Sequence, residues 1–214
     1  MSALVEATAA HVRERMIGDS GHDWFHVQRV WANARAIGEH EDVDQEIVDL
    51  AVLLHDLADW KFHDGDLTAG PRAAREWLES QQADAKLVET VTEIVGAISY
   101  KGAGVADAMR TLEGKVAQDA DRLDALGAIG IARTFAYAGH KGHPLHDPQA
   151  VPTLHESAEA YHSEENTALN HFHEKLYLLK DRMHTATARR IAEERHAYME
   201  AFERQFLAEW DGRA

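Results

Sequence analysis

The chain has 214 residues, 45% hydrophobic and 28% charged, with no cysteine and a formal charge of −15 when histidine is counted neutral. That length is enough for one domain with a real core, the missing cysteines exclude disulfide and thiolate chemistry, and no apolar run of about 18 residues is present to span a membrane. The acidic balance argues against affinity for a nucleic-acid polymer, whose backbone needs basic surface, so any phosphorylated ligand requires a local cation, either a metal or clustered Lys and Arg. Met1 to Met16 carries charges throughout and lacks the apolar core of a signal peptide, so cytoplasmic residence is expected.

In chain order, Ala3 to Met16 reads as an amphipathic helix stopped by Gly18-Asp19-Ser20-Gly21. A second helix is expected from near Asp23 to His40, with Phe25, Val30, Ala34 and Ile37 facing inward. Asp44 is an N-cap for a third, Gln45 to about Ala58, with Ile47, Leu50, Ala51 and Leu54 at helical spacing. His63 to Asp66 is a polar loop, and Pro71 opens a helix ending near Ser80 as a first-turn proline. Asp84 to Ser99 is helical along Leu87, Val91, Ile94, Val95 and Ile98 until Lys101-Gly102-Ala103-Gly104 breaks it. Small and apolar residues from Ala125 to Tyr137 predict a closely packed inner helix, and Gly139 to Thr153 a long ordered loop or lid. Helices follow at about Ser157–His162, Asn166–Met183 and Thr185–Trp210. No alternating strand pattern is present. The expected fold is all-α, a single compact domain over 1–214, with its core at about 20–137, a loop at 139–153 and C-terminal helices at 155–211 completing a pocket.

The informative stretch is Leu53-Leu54-His55-Asp56-Leu57-Ala58-Asp59-Trp60-Lys61, a histidine and two aspartates inside an apolar helical pattern. Burying such groups is costly unless they are paired or bound to a cation. On a helix Asp59 shares a side with both His55 and Asp56, whereas the adjacent His55 and Asp56 diverge by about 100°. A cation held by both would lie over the seam between them. One imidazole and one carboxylate leave a metal under-coordinated, and candidate partners lie in two places. His26 stands near the start of the second helix, with His22 one turn before it, and Asp121 belongs to an acidic cluster with Asp119 and Asp124. The plain alternative is a helix-end His-Asp pair capped by hydrogen bonds. One imidazole from each of two helices plus two carboxylates makes a mixed N/O set suited to manganese, iron, zinc, cobalt or nickel, while magnesium and calcium prefer oxygen shells. Such a set leaves positions open for water and substrate oxygens.

His26 in His-Val-Gln-Arg-Val, His55-Asp56, and Asp121 in Ala-Asp-Arg-Leu together resemble the H…HD…D signature of the HD-domain metal-dependent phosphohydrolases. The runs Gly21 to His26, Leu53 to Phe62, Gln118 to Phe135 and Asn166 to Lys175 are similar to a subgroup of small stand-alone bacterial members. The resemblance covers the chain from about residue 20 onward. It implies that His26, His55, Asp56 and Asp121 are the ligands of a divalent metal ion, manganese first, with iron, cobalt, nickel, zinc or magnesium as the other candidates. Asp119 and Asp124 match no ligand position, and Asp124 is expected to pair with Arg122 or to cap. HD hydrolases often carry a proton-transferring glutamate three residues after the ligand aspartate; here Asp59 stands there, one methylene shorter.

Charge on the phosphoryl oxygens needs donors aimed at it. Lys61 is the nearest cation to Asp59 and Arg122 adjoins Asp121, while Lys61 also reads as a helix-end lysine. His22 is expected to contact phosphate, with helix capping as its alternative. Asn170, His171 and Lys175 are expected in a pocket wall for base, ribose or phosphate, against the alternative of a helix–helix hydrogen-bond cluster. His140, His143 and His146 are left out of the metal site as solvated loop histidines.

The expected activity is hydrolysis of a small phosphorylated metabolite, and similarity to the stand-alone subgroup implies a nucleoside triphosphate cut to monophosphate and pyrophosphate. A nucleoside 5'-monophosphatase is the main rival. A guanosine tetra- or pentaphosphate hydrolase is disfavoured because Asp59-Trp60 stands where that group carries Glu-Asp. A nucleotide- or metal-sensing module without turnover, a two-metal oxygenase on the same scaffold, and a structural or interaction protein complete the field. No membrane or nucleic-acid partner is expected, and the oligomeric state is open.

Overall fold

The computed structural model describes residues 1–16, 23–58, 66, 68–98, 109–153 and 167–213. Among these every regular element is helical, so the fold class is all-α. No helix among the described residues is long and apolar enough to cross a membrane. Two compact units are defined, Met1–Tyr100 with Asp107–Asp121, and Lys101–Ala106 with Arg122–Ala214.

The first unit begins with α1, Ala3–Arg15, capped by the Ser2 hydroxyl, which accepts the Val5 N–H. Helix α2 spans Trp24–Gly38, with Asp23 capping it through the His26 N–H at 2.9 Å. Asp44 caps α3, Gln45–Leu54, by accepting the Glu46 N–H. From Val48 to Leu54 every residue of α3 is buried, and the helix packs against α1, α2 and α5. Fully burying leucines such as Leu50, Leu53 and Leu54 contributes roughly 1.5–3 kcal/mol each. Helices α4, Ala69–Ser80, and α5, Ala85–Ile98, pack on each other. Pro71 falls in the first turn of α4, where no intrahelical donor is lost.

Helix α6, Leu112–Asp124, supplies the last residues of the first unit. The second unit contains α7, Gly127–Lys141, and α8, Ala186–Trp210, which pack together. Between them the chain forms a π turn at Phe172–Leu176, a short α turn at Tyr177–Leu179 and a 3-10 turn at Lys180–Arg182. Phe135, Phe172, Phe202 and Phe206 form its aromatic core, with ring centroids 5.8–6.3 Å apart.

Four sequence expectations are corrected. Helix α3 stops at Leu54 instead of Ala58, because the Leu57 N–H reaches back to the Leu54 carbonyl and tightens the chain into turns. Phe25 is 64% exposed, not inward, since it sits on the opposite side of α2 from Val27, Val30 and Ala34. Helix α7 is a half-exposed helix and not an inner one, with Ile129 and Tyr137 in solvent. Residues 139–141 belong to α7, and 143–153 form an ordered loop stitched to the segment that follows. Pro144 and Leu145 carbonyls accept the Ala168 and Leu169 N–H groups, and the Thr153 N–H donates to Glu174. The expected helix at Ser157–His162 lies outside the described residues.

Candidate metal centre

Three helices of the first unit bring two imidazoles and two carboxylates together. His26 lies in the first turn of α2, where the Asp23 cap fixes the backbone that carries it. His55 and Asp56 follow directly on α3, whose burial carries His55 inside and leaves Asp56 partly covered. Asp121 comes from α6.

The helices are joined by polar side chains. Asp49, itself buried in α3, accepts hydrogen bonds from Trp31 Nε1 (2.8 Å), Arg35 Nε (3.2 Å) and Gln45 Nε2 (3.0 Å), and its other oxygen takes Arg35 Nη2. That ties α2 to α3 with a charge-assisted pair, the stronger class of hydrogen bond. Gln118 of α6 donates to the Ala97 and Ile98 carbonyls at the end of α5, where helix carbonyls lack intrahelical partners. Asn33 of α2 donates to the Ala120 carbonyl of α6 at 3.3 Å.

Inside this frame the donors converge. His26 Nε2 lies 3.3 Å from His55 Nε2, 3.3 Å from Asp56 Oδ2 and 3.6 Å from Asp121 Oδ1. His55 Nε2 lies 3.3 Å from Asp56 Oδ2 and 3.9 Å from Asp121 Oδ1. Ligands about 2.1 Å from a common ion are separated by about 3.0 Å at right angles and about 3.4 Å at the tetrahedral angle, using ordinary bond lengths to nitrogen and oxygen. His26 Nε2, His55 Nε2 and Asp56 Oδ2 therefore already stand close to the spacing of a coordination shell, with Asp121 Oδ1 somewhat farther out. His55 Nδ1 donates to the Val52 carbonyl at 2.7 Å, which in the neutral ring leaves the Nε2 lone pair facing the cluster. The group of His26, His55 and Asp56 can hold a metal ion.

Electrostatics say the same. Burial lowers the His55 pKa, but Asp56, by charge and hydrogen bond, then Asp121 by charge and the Val52 carbonyl, outweigh it and push the pKa up to about 9. Without a metal the cluster takes a proton as its cation. A divalent ion supplies the same compensation more completely, so the residues fit the group.

The other sequence-predicted residues fall elsewhere. His22, Asp59 and Lys61 lie outside the described residues. Arg122, Asn170, His171 and Lys175 belong to the second unit. Arg122 is buried and its Nη1 donates to the Arg182 carbonyl, with His184 Nε2 3.3 Å away. Asn170 Nδ2 donates to the Ala150 carbonyl at 3.1 Å, while His171 and Lys175, both half-buried, flank and enter the π turn. The Asp124 carboxylate accepts from Arg133 Nη1 of α7 at 2.7 Å, a partner not expected from the sequence. His146 packs edge-on against Phe206 and Trp210 and is not a solvated loop histidine.

Asp49 is the residue sequence reasoning passed over. A carboxylate between Val48 and Leu50 in an apolar helix was as conspicuous as His55, but lacked a recognisable partner in the sequence.

Residues 24–126 match the HD domain family. The chain is 42% identical over 187 residues to the uncharacterized protein YpgQ of Bacillus subtilis, covering 87% of this chain and 83% of that one. Among solved structures it is similar to a protein of Lactobacillus plantarum, at TM-score 0.85 and 35% identity over 99% of both chains. It is also similar to an HD-superfamily hydrolase of Bacillus thuringiensis, at TM-score 0.76 and 40% identity over 97% of this chain and 96% of that one. YpgQ solved in complex with ADP gives TM-score 0.76 and 36% identity, over 98% of this chain and all (100%) of that one. The chain belongs to the HD-domain family and is a metal-dependent hydrolase of its small stand-alone bacterial type.

Proposed function

We propose that the chain hydrolyses nucleotides, with a nucleoside triphosphate as substrate and the monophosphate and pyrophosphate as products. The observation that carries the reading is the crowding of His26, His55, Asp56 and Asp121 donor atoms at 3.3–3.9 Å, a negatively charged nest beside which a phosphate finds no favourable place unless a cation is present. The ADP bound by YpgQ supports a nucleotide as the ligand. A divalent ion held by these four residues, manganese by preference, lowers the pKa of water and polarises phosphoryl oxygens.

The protein's own groups do the rest in this reading. Water attacks the α-phosphorus in line, the bond from that phosphorus to the bridging oxygen breaks, and pyrophosphate leaves. Asp59 takes the proton that the attacking water loses. Lys61 and His22 donate to phosphate oxygens. Arg122, Asn170, His171 and Lys175 are proposed contacts for phosphate, ribose or base, an assignment that rests on the position of Arg122 beside Asp121 and on polar residues in an otherwise apolar segment. The π turn at Phe172–Leu176 supports a functional role for that segment, since such turns recur at functional sites.

The test is product analysis with metal-stripped protein, given manganese, magnesium, cobalt or nickel and a panel of nucleoside mono-, di- and triphosphates. Metal-dependent release of pyrophosphate and monophosphate, lost in Asp56→Ala, supports the proposal. Phosphate released from monophosphates alone makes the protein a nucleoside 5'-monophosphatase. Stoichiometric metal and nucleotide binding without turnover makes it a sensing module, and failure to bind metal overturns the site.

A further inference from the structure

We propose that Asn33 is a positioning residue for Asp121, setting where that carboxylate stands in the metal shell; the inference rests on the metal reading above. Asn33 lies two turns beyond His26 on α2, so His26, Val30 and Asn33 share one helix face. Its side-chain amide donates to the carbonyl of Ala120, the residue immediately before Asp121. Ala120 and Val30 are fully buried, so neither helix has room to shift without breaking packing.

The joint is unlike its neighbour. Helices α2 and α3 are held by the buried Asp49 carboxylate, with Trp31, Arg35 and Gln45 all donating to it. The Asn33 bond from α2 to the Ala120 carbonyl of α6 is a neutral one, amide to carbonyl. The ligand geometry follows the same division. Asp56 Oδ2 stands 3.3 Å from both histidine nitrogens, whereas Asp121 Oδ1 stands 3.6 and 3.9 Å away. Asp121 is also the most exposed of the four, its side chain 27% accessible against 7% for Asp56. The ligand with the least packing around it depends most on its helix being held in register. Asn33 grips that helix at the adjacent peptide.

Removing such an outer support weakens metal binding by about tenfold or more, while the ligands themselves remain. The experiment titrates the metal-stripped full-length protein with manganese and reads the free ion by electron paramagnetic resonance. The proteins are the wild type, Asn33→Ala, Asp121→Ala, the double variant, and the nearly isosteric Asn33→Leu, which keeps the packing and removes the donor. Folding is monitored separately by thermal melting.

The expected result is an affinity loss of about tenfold in Asn33→Ala and Asn33→Leu. In the Asp121→Ala background the Asn33 substitution adds nothing, because its effect passes through Asp121. Affinity within about twofold of wild type in a folded Asn33 variant overturns the inference, at the margin where additive effects are resolved. An equal loss in both backgrounds also overturns it, since that marks general loosening. Wild-type protein that binds no manganese overturns the metal reading itself, which a failure confined to Asn33 leaves standing.

Discussion

Both units bury polar groups in complementary pairs, as Asp49 does in the first, but there a second kind of arrangement stands beside them. In the second unit the partners are complementary: Arg133 meets the Asp124 carboxylate, the Asn170 amide meets the Ala150 carbonyl, and the Arg122 guanidinium meets the Arg182 carbonyl. In the first unit the ring nitrogens of His26 and His55 and the oxygens of Asp56 and Asp121 converge on one point, where a proton on His55 is the cation of the metal-free protein. A complementary pair stabilises a fold and asks for nothing more. A convergence of acceptors costs free energy until a cation arrives, so the second arrangement marks function more reliably than burial does.

The sharpest way to break this comparison is to remove a donor from each side. Asp56→Ala is expected to lower metal-dependent turnover by about a thousandfold or more, measured as kcat with saturating manganese, because the water-activating ion is lost. If turnover survives, the cluster is a structural pair like those of the second unit.

The pH dependence of stability separates the two states of the cluster. His55 is raised from 6.5 to about 9 in the folded, metal-free protein. Its stabilising contribution is therefore fully present below about pH 6.5 and is lost as pH rises through about 9, up to roughly 3 kcal/mol for a shift of this size. Manganese competes with that proton, so metal affinity rises over the same interval. Urea unfolding of metal-free and manganese-saturated protein from pH 6 to 9.5 checks this. A flat metal-free curve removes the proton from its place in the cluster.

On the other side, Arg133→Ala leaves the buried Asp124 without its Arg133 partner and is expected to cost about 2–3 kcal/mol of unfolding free energy. Manganese affinity should stay within about twofold of wild type, as for independent sites. Lost affinity with unchanged stability would reverse the roles assigned to Asp124.

Much of this was legible in the chain. Helix starts at Asp23 and Asp44 follow from side chains that cap, and the apolar run into His55-Asp56 announced a burial that only a partner could relieve. Less legible was anything decided by which side of a helix meets a neighbour. Phe25 is apolar and exposed, Asp49 is charged and buried, and Asp124 takes an arginine from α7. The π turn was hidden for a related reason: one additional residue per turn leaves no trace in an apolar pattern read at ordinary helical spacing.

Asn170 offers the finest test, because sequence and structure assign it different work. The sequence pattern makes it a substrate contact, whereas its amide donates to the Ala150 carbonyl and its N–H to the Thr167 hydroxyl, bracing the loop 143–153. The side chain is 4% exposed, as a brace would be. A bracing amide contributes about 1 kcal/mol, so Asn170→Ala should lower the unfolding free energy by that amount and leave KM for the nucleotide unchanged. A substrate contact behaves in the reverse sense, raising KM about tenfold for one lost hydrogen bond with little change in stability. Measured together, urea unfolding and KM place Asn170 on one side of the comparison. If KM alone moves, complementary pairing in the second unit is not enough to mark a residue as structural.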